Sequence, residues 1–365
     1  MFRMKGRLKR TIAKLEEQGL TYALISTPEN VMYLTAFKAI GQPPKPCHLL
    51  ISAKEPKAKL LVSPLDYEEA MESVGSELEV VKLKTKSVAD ALSKILPRGR
   101  GVLGVELGYV NHLFLEELKS KLKDVELKDF SSQVEELRAV KDSEEVEAIK
   151  KAVQVAEEAI KKGLNLIVEE ATEREIAAEI EYEARKAGAE GVAFDTIVAS
   201  GPYSAYPHRT AGERKVRKGE AVVLDVGVRV KGYCSDITRT VVLGKIPEKL
   251  EEAYVAVLEA QEEASRALKP GVKASTVDAK ARTWLKRKKL ARWFIHGVGH
   301  GVGLSVHEKP ALAPKSHDRL MRGNVVTLEP GIYLDKLGGV RVEDMYLVVK
   351  EGAMKLTTLE PRLVL

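Results

Sequence analysis

Cysteine is scarce: Cys47 and Cys234 are the only two among 365 residues. Two thiols make no disulfide framework, which points to a reducing compartment and to small buried side chains rather than reactive groups. Amides are also few, with four Asn and five Gln, whereas charged residues reach 31%. Abundant Lys and Glu with few thermolabile amides is a composition typical of thermophiles. No apolar run is long enough to span a bilayer, so no membrane segment is expected. The basic start, MFRMKGRLKRTIAKLEEQG, lacks an apolar signal core; it reads as a first helix in a cytoplasmic protein. Charges of both signs are mixed, 59 basic against 53 acidic, for a net +6. The sharpest basic cluster, LKRKKLAR (285–292), has no aromatic platforms around it. It reads as a solvated helix end, and no nucleic-acid partner is expected.

The length fits two domains, and 44% hydrophobic residues can fill their cores. Over 1–131 short apolar runs alternate with helical ones. YALIS (22–26), HLLIS (48–52), KLLVS (59–63), EVVKL (79–83) and VLGVE (102–106) read as strands, with helices at SPLDYEEAMESVG and SVADALSKIL. This predicts an α/β domain with a central mixed sheet. GQPPKP (41–46) is a loop, since its prolines exclude regular structure. In 132–365, Asp142 with Glu145 and Thr172 with Glu175 have capping-box spacing. The helices they start should end near Gly163 and Gly188. Strand-like runs FDTIVAS, AVVLDVGVRV and YCSDITRTVVLG follow. The order then repeats, with helices up to Pro270 and from Ser275 to about Leu290, then VVTLEPGIY and GVRVEDMYLVVK. Two halves of helix, helix and β-structure predict an α+β domain with pseudo-twofold symmetry and a site where the halves meet.

In the first half, two β-branched runs flank Lys231-Gly232. If that pair is a two-residue turn, Asp225 faces Thr238 and Asp236 faces Gly227. The two acids then share one face as diagonal neighbours, with Cα atoms about 7–8 Å apart. Two carboxylates that close in apolar surroundings need a proton, a cation or water between them. The alternative is a solvated face with two exposed acids. The second half offers a parallel pair, Glu329 and Glu343, with LGG (337–339) as the turn. Four carboxylates with one or two imidazoles suit two divalent cations of intermediate hardness such as Mn, Co, Fe or Zn, and such a site supports hydrolysis.

From about residue 143 the chain resembles the pita-bread metallopeptidases: methionine aminopeptidase, aminopeptidase P, prolidase and the non-metal creatinase. The stretches that carry the resemblance are FDTIVASGPYSAYPH, VVLDVGVRVKGYCSDITRT, HGVGHGVGLSVHE, TLEPGIY and GVRVEDMYLV, in the family's order. The first domain, with ALISTPENVMYLTAF, resembles the creatinase-type N-terminal domain of prolidase and aminopeptidase P. The resemblance implies two divalent metal ions (Mn, Co or Zn). Asp225 would hold one metal, Asp236 and Glu343 would bridge both, and His300 and Glu329 would complete the other. It also implies Glu329 as the group that moves a proton from the attacking water. His208 and His307 would act on the substrate side, His307 at the tetrahedral intermediate. His296, Tyr333 and Arg341 would be pocket residues that orient ligands or substrate. The implied activity is hydrolysis of Xaa-Pro bonds at peptide N-termini, by an Xaa-Pro dipeptidase or aminopeptidase acting as a homodimer. The partners would be small peptides with proline second. A broader aminopeptidase, or a binding protein that keeps the fold, is the alternative. Two positions depart from the pattern. Arg209 follows the first histidine where many relatives have Gly, and Ala311 stands where prolidases of this size often carry a carboxylate-binding arginine. His48, His112 and His317 match nothing in the family pattern.

HGVGHGVGLSVHE (296–308) first looks like an H-x-x-x-H metal helix. Four glycines within 297–303 oppose a helix, at about 1 kcal/mol each relative to Ala. An extended strand fits, with His296 and His300 on one face and a turn or bulge needed to bring in His307. The resemblance then implies His300 at the metal, and His296 and His307 at the substrate.

Overall fold

The computed structural model describes residues 2–41, 43–54, 58–84, 87–97 and 101–364; Gln42 of the GQPPKP loop lies outside them. The chain forms two compact units, Met1–Arg138 and Ala139–Leu365. The division falls after residue 138 rather than 131, because the helix Ser131–Ala139 stays with the first unit. Near its end, Arg138 donates from Nη1 to Asn30 Oδ1 at 2.8 Å.

The first unit is built on a six-stranded sheet. Its spatial order is Glu79–Lys82, Lys59–Val62, Cys47–Ser52, Tyr22–Ile25, Gly101–Val105 and Val125–Asp129. Cys47–Ser52 runs antiparallel to both neighbours and the other pairs are parallel, so the sheet is mixed. Helices Val88–Ile95 and His112–Lys121 bury Ala89, Leu92 and Leu118 against Leu24, Leu61 and Leu103 of the sheet. The edge strand Val125–Asp129 (VELKD) escapes a reading by hydrophobicity, since none of its residues is fully buried.

In the second unit both capping boxes form. Asp142 and Thr172 cap the helices Ser143–Leu164 and Glu173–Lys186, each with reciprocal bonds to Glu145 or Glu175. The two helices cross closely at Gly163, where a Cβ would lie 2.3 Å from Ile180 Cγ1. The second helix pair is Glu248–Ser265 and Ala274–Arg287.

Each pair precedes a long hairpin. The first has the register expected of a two-residue turn: Asp225 faces Thr238 and Arg229 faces Cys234. Lys231 and Gly232 both take positive φ, 52° and 79°, as a type I′ turn requires. In the second hairpin Leu328 faces Asp344 and Gly331 faces Arg341, so Glu329 and Glu343 oppose each other in the gap between. Its turn is Asp335–Leu337 rather than LGG. Leu334 pairs with Gly338, and the two glycines open the return strand Gly338–Arg341.

Both hairpins leave one sheet and enter another. Ala221–Val226 and Ile237–Val242 lie in one three-stranded sheet, Val228–Val230 and Tyr233–Cys234 in a second. Val325–Leu328 and Asp344–Val349 belong to a five-stranded sheet, Gly331–Leu334 and Gly338–Arg341 to a two-stranded one. The four acids sit at or beside these crossings. Buried Arg239 locks the hairpins together, donating to Glu343 O at 2.6 Å and to Asp344 Oδ1 at 2.8 Å.

Candidate metal centre

The two hairpins and the strand Gly299–Gly301 converge on one point. Ligand atoms of Asp225, Asp236 and Glu343 lie within 4.8 Å of one another, as do those of His300, Glu329 and Glu343, and those of Asp236, His300 and His307. Burial pushes the Glu329 carboxyl up to about 8. Burial, then the Glu343 and Asp225 charges, holds Asp236 well above the usual carboxylate range. Burial, then Glu329 and Asp225, does the same to Glu343. So many carboxylates in a desolvated space need protons or cations between them.

The residues fit such a charge. Asp225 Oδ1 and Glu343 Oε1 are buried and make no hydrogen bond among the described residues, where unpaired acceptors are costly. His300 gives the more specific sign. Its Nδ1 lies 3.1 Å from the Gly301 carbonyl oxygen, which can only accept, so Nδ1 carries the proton. Burial lowers the ring to about 3, so it is neutral and Nε2 presents a lone pair. That lone pair faces Asp236 Oδ2 at 3.5 Å and Glu329 Oε1 at 3.6 Å. Three electron-rich atoms facing one another are favourable around a cation. The Nδ1 bond to a carbonyl is also the usual support of a metal-binding imidazole.

A hydrogen-bond chain backs Asp225. Arg341 donates from Nη2 to Asp225 Oδ2 at 2.7 Å and from Nη1 to Tyr333 Oη at 2.9 Å. His296 Nδ1 donates to Gly297 O at 2.8 Å, and burial lowers this ring to about 4, so its Nε2 is an acceptor. The Tyr333 hydroxyl, 2.8 Å away, therefore donates to it. Both nitrogens of His296 are thus engaged by the protein itself. Thr238 Oγ1 donates to Glu343 Oε2 at 2.7 Å and accepts from Arg341 Nε at 3.1 Å.

All ten residues singled out in the sequence line one cavity of about 570 Å³, a size suited to a small ligand. The His307 ring stands edge-on to His300, centroids 4.1 Å apart. A register shift between His300 and Gly301 supplies the bulge that brings it in. His208 enters on the loop after the short helix Gly201–Ala205, where Pro207 O accepts from Arg341 Nη2 at 3.4 Å. Gly299 and Gly301 are required by close approach, since a Cβ would lie 2.1 Å from Thr327 O or 2.2 Å from Lys309 O. Among the residues without an assigned role, Thr238 was legible as the partner facing Asp225. Phe194 and Ile197, on the apolar wall of the cavity, belong to the FDTIVAS run. Asp278, which accepts from Val298 N at 3.1 Å and braces the glycine-rich stretch, left no signal, since it lies on a helix 20 positions earlier. His48 and His112 belong to the first unit, and His317 does not line the cavity.

A pseudo-twofold α+β unit with acids and a histidine gathered between its halves defines a pita-bread metallopeptidase. Residues 147–350 match the model of metallopeptidase family M24, and residues 7–140 match the creatinase/prolidase N-terminal domain. The chain belongs to metallopeptidase family M24. It is 40% identical over 360 residues to an Xaa-Pro dipeptidase of Pyrococcus furiosus, covering 99% of this chain and 100% of that protein. It is also similar to the prolidase from Pyrococcus horikoshii, with a TM-score of 0.91 at 37% identity over 98% of this chain and 99% of that one. The X-Pro aminopeptidase from Thermotoga maritima superposes with a TM-score of 0.88 at 34% identity, over the same two shares. No helix among the described residues is long and apolar enough to cross a membrane.

Proposed function

We propose that the protein hydrolyses the bond before proline at the N-terminus of short peptides. It would use two divalent cations held by Asp225, Asp236, His300, Glu329 and Glu343. The observation that carries this is the His300 Nε2 lone pair facing two carboxylates, beside two buried carboxylate oxygens without hydrogen-bond partners among the described residues. Bound there, such cations supply Lewis acidity toward the scissile carbonyl and lower the pKa of a water. The residues do the rest. Glu329, whose carboxylate bound cations would keep ionised, is placed to take a proton from the attacking water and return it to the leaving imino nitrogen. His307 and His208 present ring nitrogens to the developing oxyanion and the substrate backbone. Phe194 and Ile197 give the pyrrolidine ring an apolar wall. His296, Tyr333 and Arg341 hold Asp225 in place rather than touching the peptide with polar atoms.

The test is to strip the protein with a chelator and restore Mn, Co or Zn one at a time. An Xaa-Pro dipeptide, an Xaa-Pro-Xaa tripeptide and a Met-Ala peptide are then offered. Turnover of the proline peptides is expected, and silence toward all three under every metal sinks the reading. Arg341 is the one Arg or Lys among the described cavity residues, and its guanidinium is spent on Asp225, Tyr333 and Thr238. No fixed Arg or Lys among the described cavity residues is left over for a free C-terminal carboxylate, so the tripeptide is expected to be cleaved alongside the dipeptide. Asp236→Ala should lose metal and activity together; full metal occupancy in that variant would contradict its bridging role. The same reading takes the protein to be a cytoplasmic homodimer, and sedimentation checks the oligomer.

A further inference from the structure

We infer that the buried ion pair Lys141–Glu308 is a positioning device for His307, an inference that rests on the peptidase reading above. Lys141 Nζ lies 2.5 Å from Glu308 Oε1, and the two side chains are only 1% and 5% exposed. Neither is among the residues that line the cavity. Burying two charges is costly, and apolar replacements of similar volume often serve stability as well or better. The pair therefore calls for a reason beyond stability, and its placement supplies one.

Glu308 follows His307 directly, and its side chain folds back under the loop that carries it. Glu308 Oε2 accepts from Ser305 N at 3.4 Å. A Cβ on Gly303 would lie 2.3 Å from Glu308 Oε1, so the carboxylate fills the space that this glycine leaves. Gly303 N in turn donates to Ser305 O at 3.0 Å. The loop 303–308 is thus closed around one carboxylate.

The cation is anchored separately. Lys141 N donates to Gly323 O at 2.9 Å, and Nζ also reaches Ala139 O at 3.3 Å. Ala139 O accepts from Asn324 Nδ2 at 2.8 Å. Residues 323–324 lead directly into Val325–Leu328, the strand that immediately precedes Glu329. The pair therefore ties the His307 loop to the strand that carries Glu329. His307 itself is exposed, and its ring leans on His300. Its place depends on the loop beneath it.

Glu308→Gln keeps the shape and removes the charge. It should lower kcat about tenfold, leave KM within about twofold and leave metal content unchanged, as expected for a small misplacement of a catalytic group. Lys141→Arg, which keeps the cation, should stay near the parent. The readout that separates positioning from general damage is the double variant. In a His307→Ala background, Glu308→Gln should cost less than about twofold, because the group it positions is already gone. A tenfold loss in both backgrounds overturns the inference. Should Glu308→Gln not fold, Gly303→Ala reaches the same contact, since the three atoms nearest its methyl would all belong to the Glu308 carboxylate.

A second arm needs no turnover. In ¹³Cε1-histidine spectra of the zinc-loaded protein, Glu308→Gln should shift or broaden the His307 resonance and leave His208 and His296 in place. An unmoved His307 resonance overturns the inference. Inactivity of the parent toward every peptide would instead fail the peptidase reading alone, and the spectra would still decide the positioning.

Discussion

Thr238 stands between two charges. Its hydroxyl donates to Glu343 and accepts from Arg341 Nε, so one small side chain satisfies an anion and a cation at once. Thr238→Val keeps the volume and removes both bonds. It should destabilise the fold by about 1–3 kcal/mol, because both partners stay buried. Metal affinity should fall about 10–100-fold, the usual effect of losing an outer partner of a ligand. Thr238→Ser should recover most of both. Denaturant unfolding and metal titration check the pair of effects. His48, in the first unit, gives a prediction of a different kind. Burial lowers its pKa from 6.5 to about 4, and Nδ1 lies 2.8 Å from Ser26 Oγ. The unfolded chain binds this proton more readily, so the stability from the neutral ring is complete above pH 6.5. It is lost as pH falls from there through about 4. A histidine NMR titration of the intact chain should place the His48 midpoint near 4. A midpoint near 6.5 would contradict its burial.

At the scale of elements, the glycine-rich strand sets the tightest constraint. Gly299→Ala would drive a methyl to 2.1 Å from Thr327 O, and backbone there cannot move without parting Gly299–Gly301 from Val325–Leu328. A loss at or above about 3 kcal/mol is expected, the upper end for overpacking. Metal should be lost with it, because His300 is the next residue. Thermal unfolding with and without added metal tests this, and a variant that retains both would show that the strands can part. The first hairpin was legible in full, because a two-residue turn fixes the register and the register fixes which side chains share a face. The second was less so: Leu337-Gly338-Gly339 looks like a turn, but the chain reverses at Asp335–Leu337. The acids were legible by pattern. Their supports Arg341, Tyr333 and His296 were reached only through the family resemblance, and their pairing was not legible, since they join only across the folded site; Lys141 meets Glu308 from 167 positions away. No local period encodes such pairs.

For the whole chain, the candidate ligands come from both hairpins and from the strand Gly299–Gly301, so bound cations would join the two halves of the second unit. Without them, buried carboxylates are left facing one another. A cation present at about 100 times its Kd contributes about 2.7 kcal/mol, or roughly 5–10 °C in Tm for a unit of this size. Chelation should therefore lower the melting temperature by that much, and Mn or Co should restore it. Hydrogen exchange locates the effect. Amides of 221–242 and of 325–349 should gain protection together when metal is added, because a bridging centre cannot stabilise one hairpin without the other. Residues 2–138 hold none of the candidate ligands, and their exchange should not change. Protection confined to a single hairpin would mean that the cations sit on one half only. Asp236 and Glu343, one from each hairpin, would then not share them.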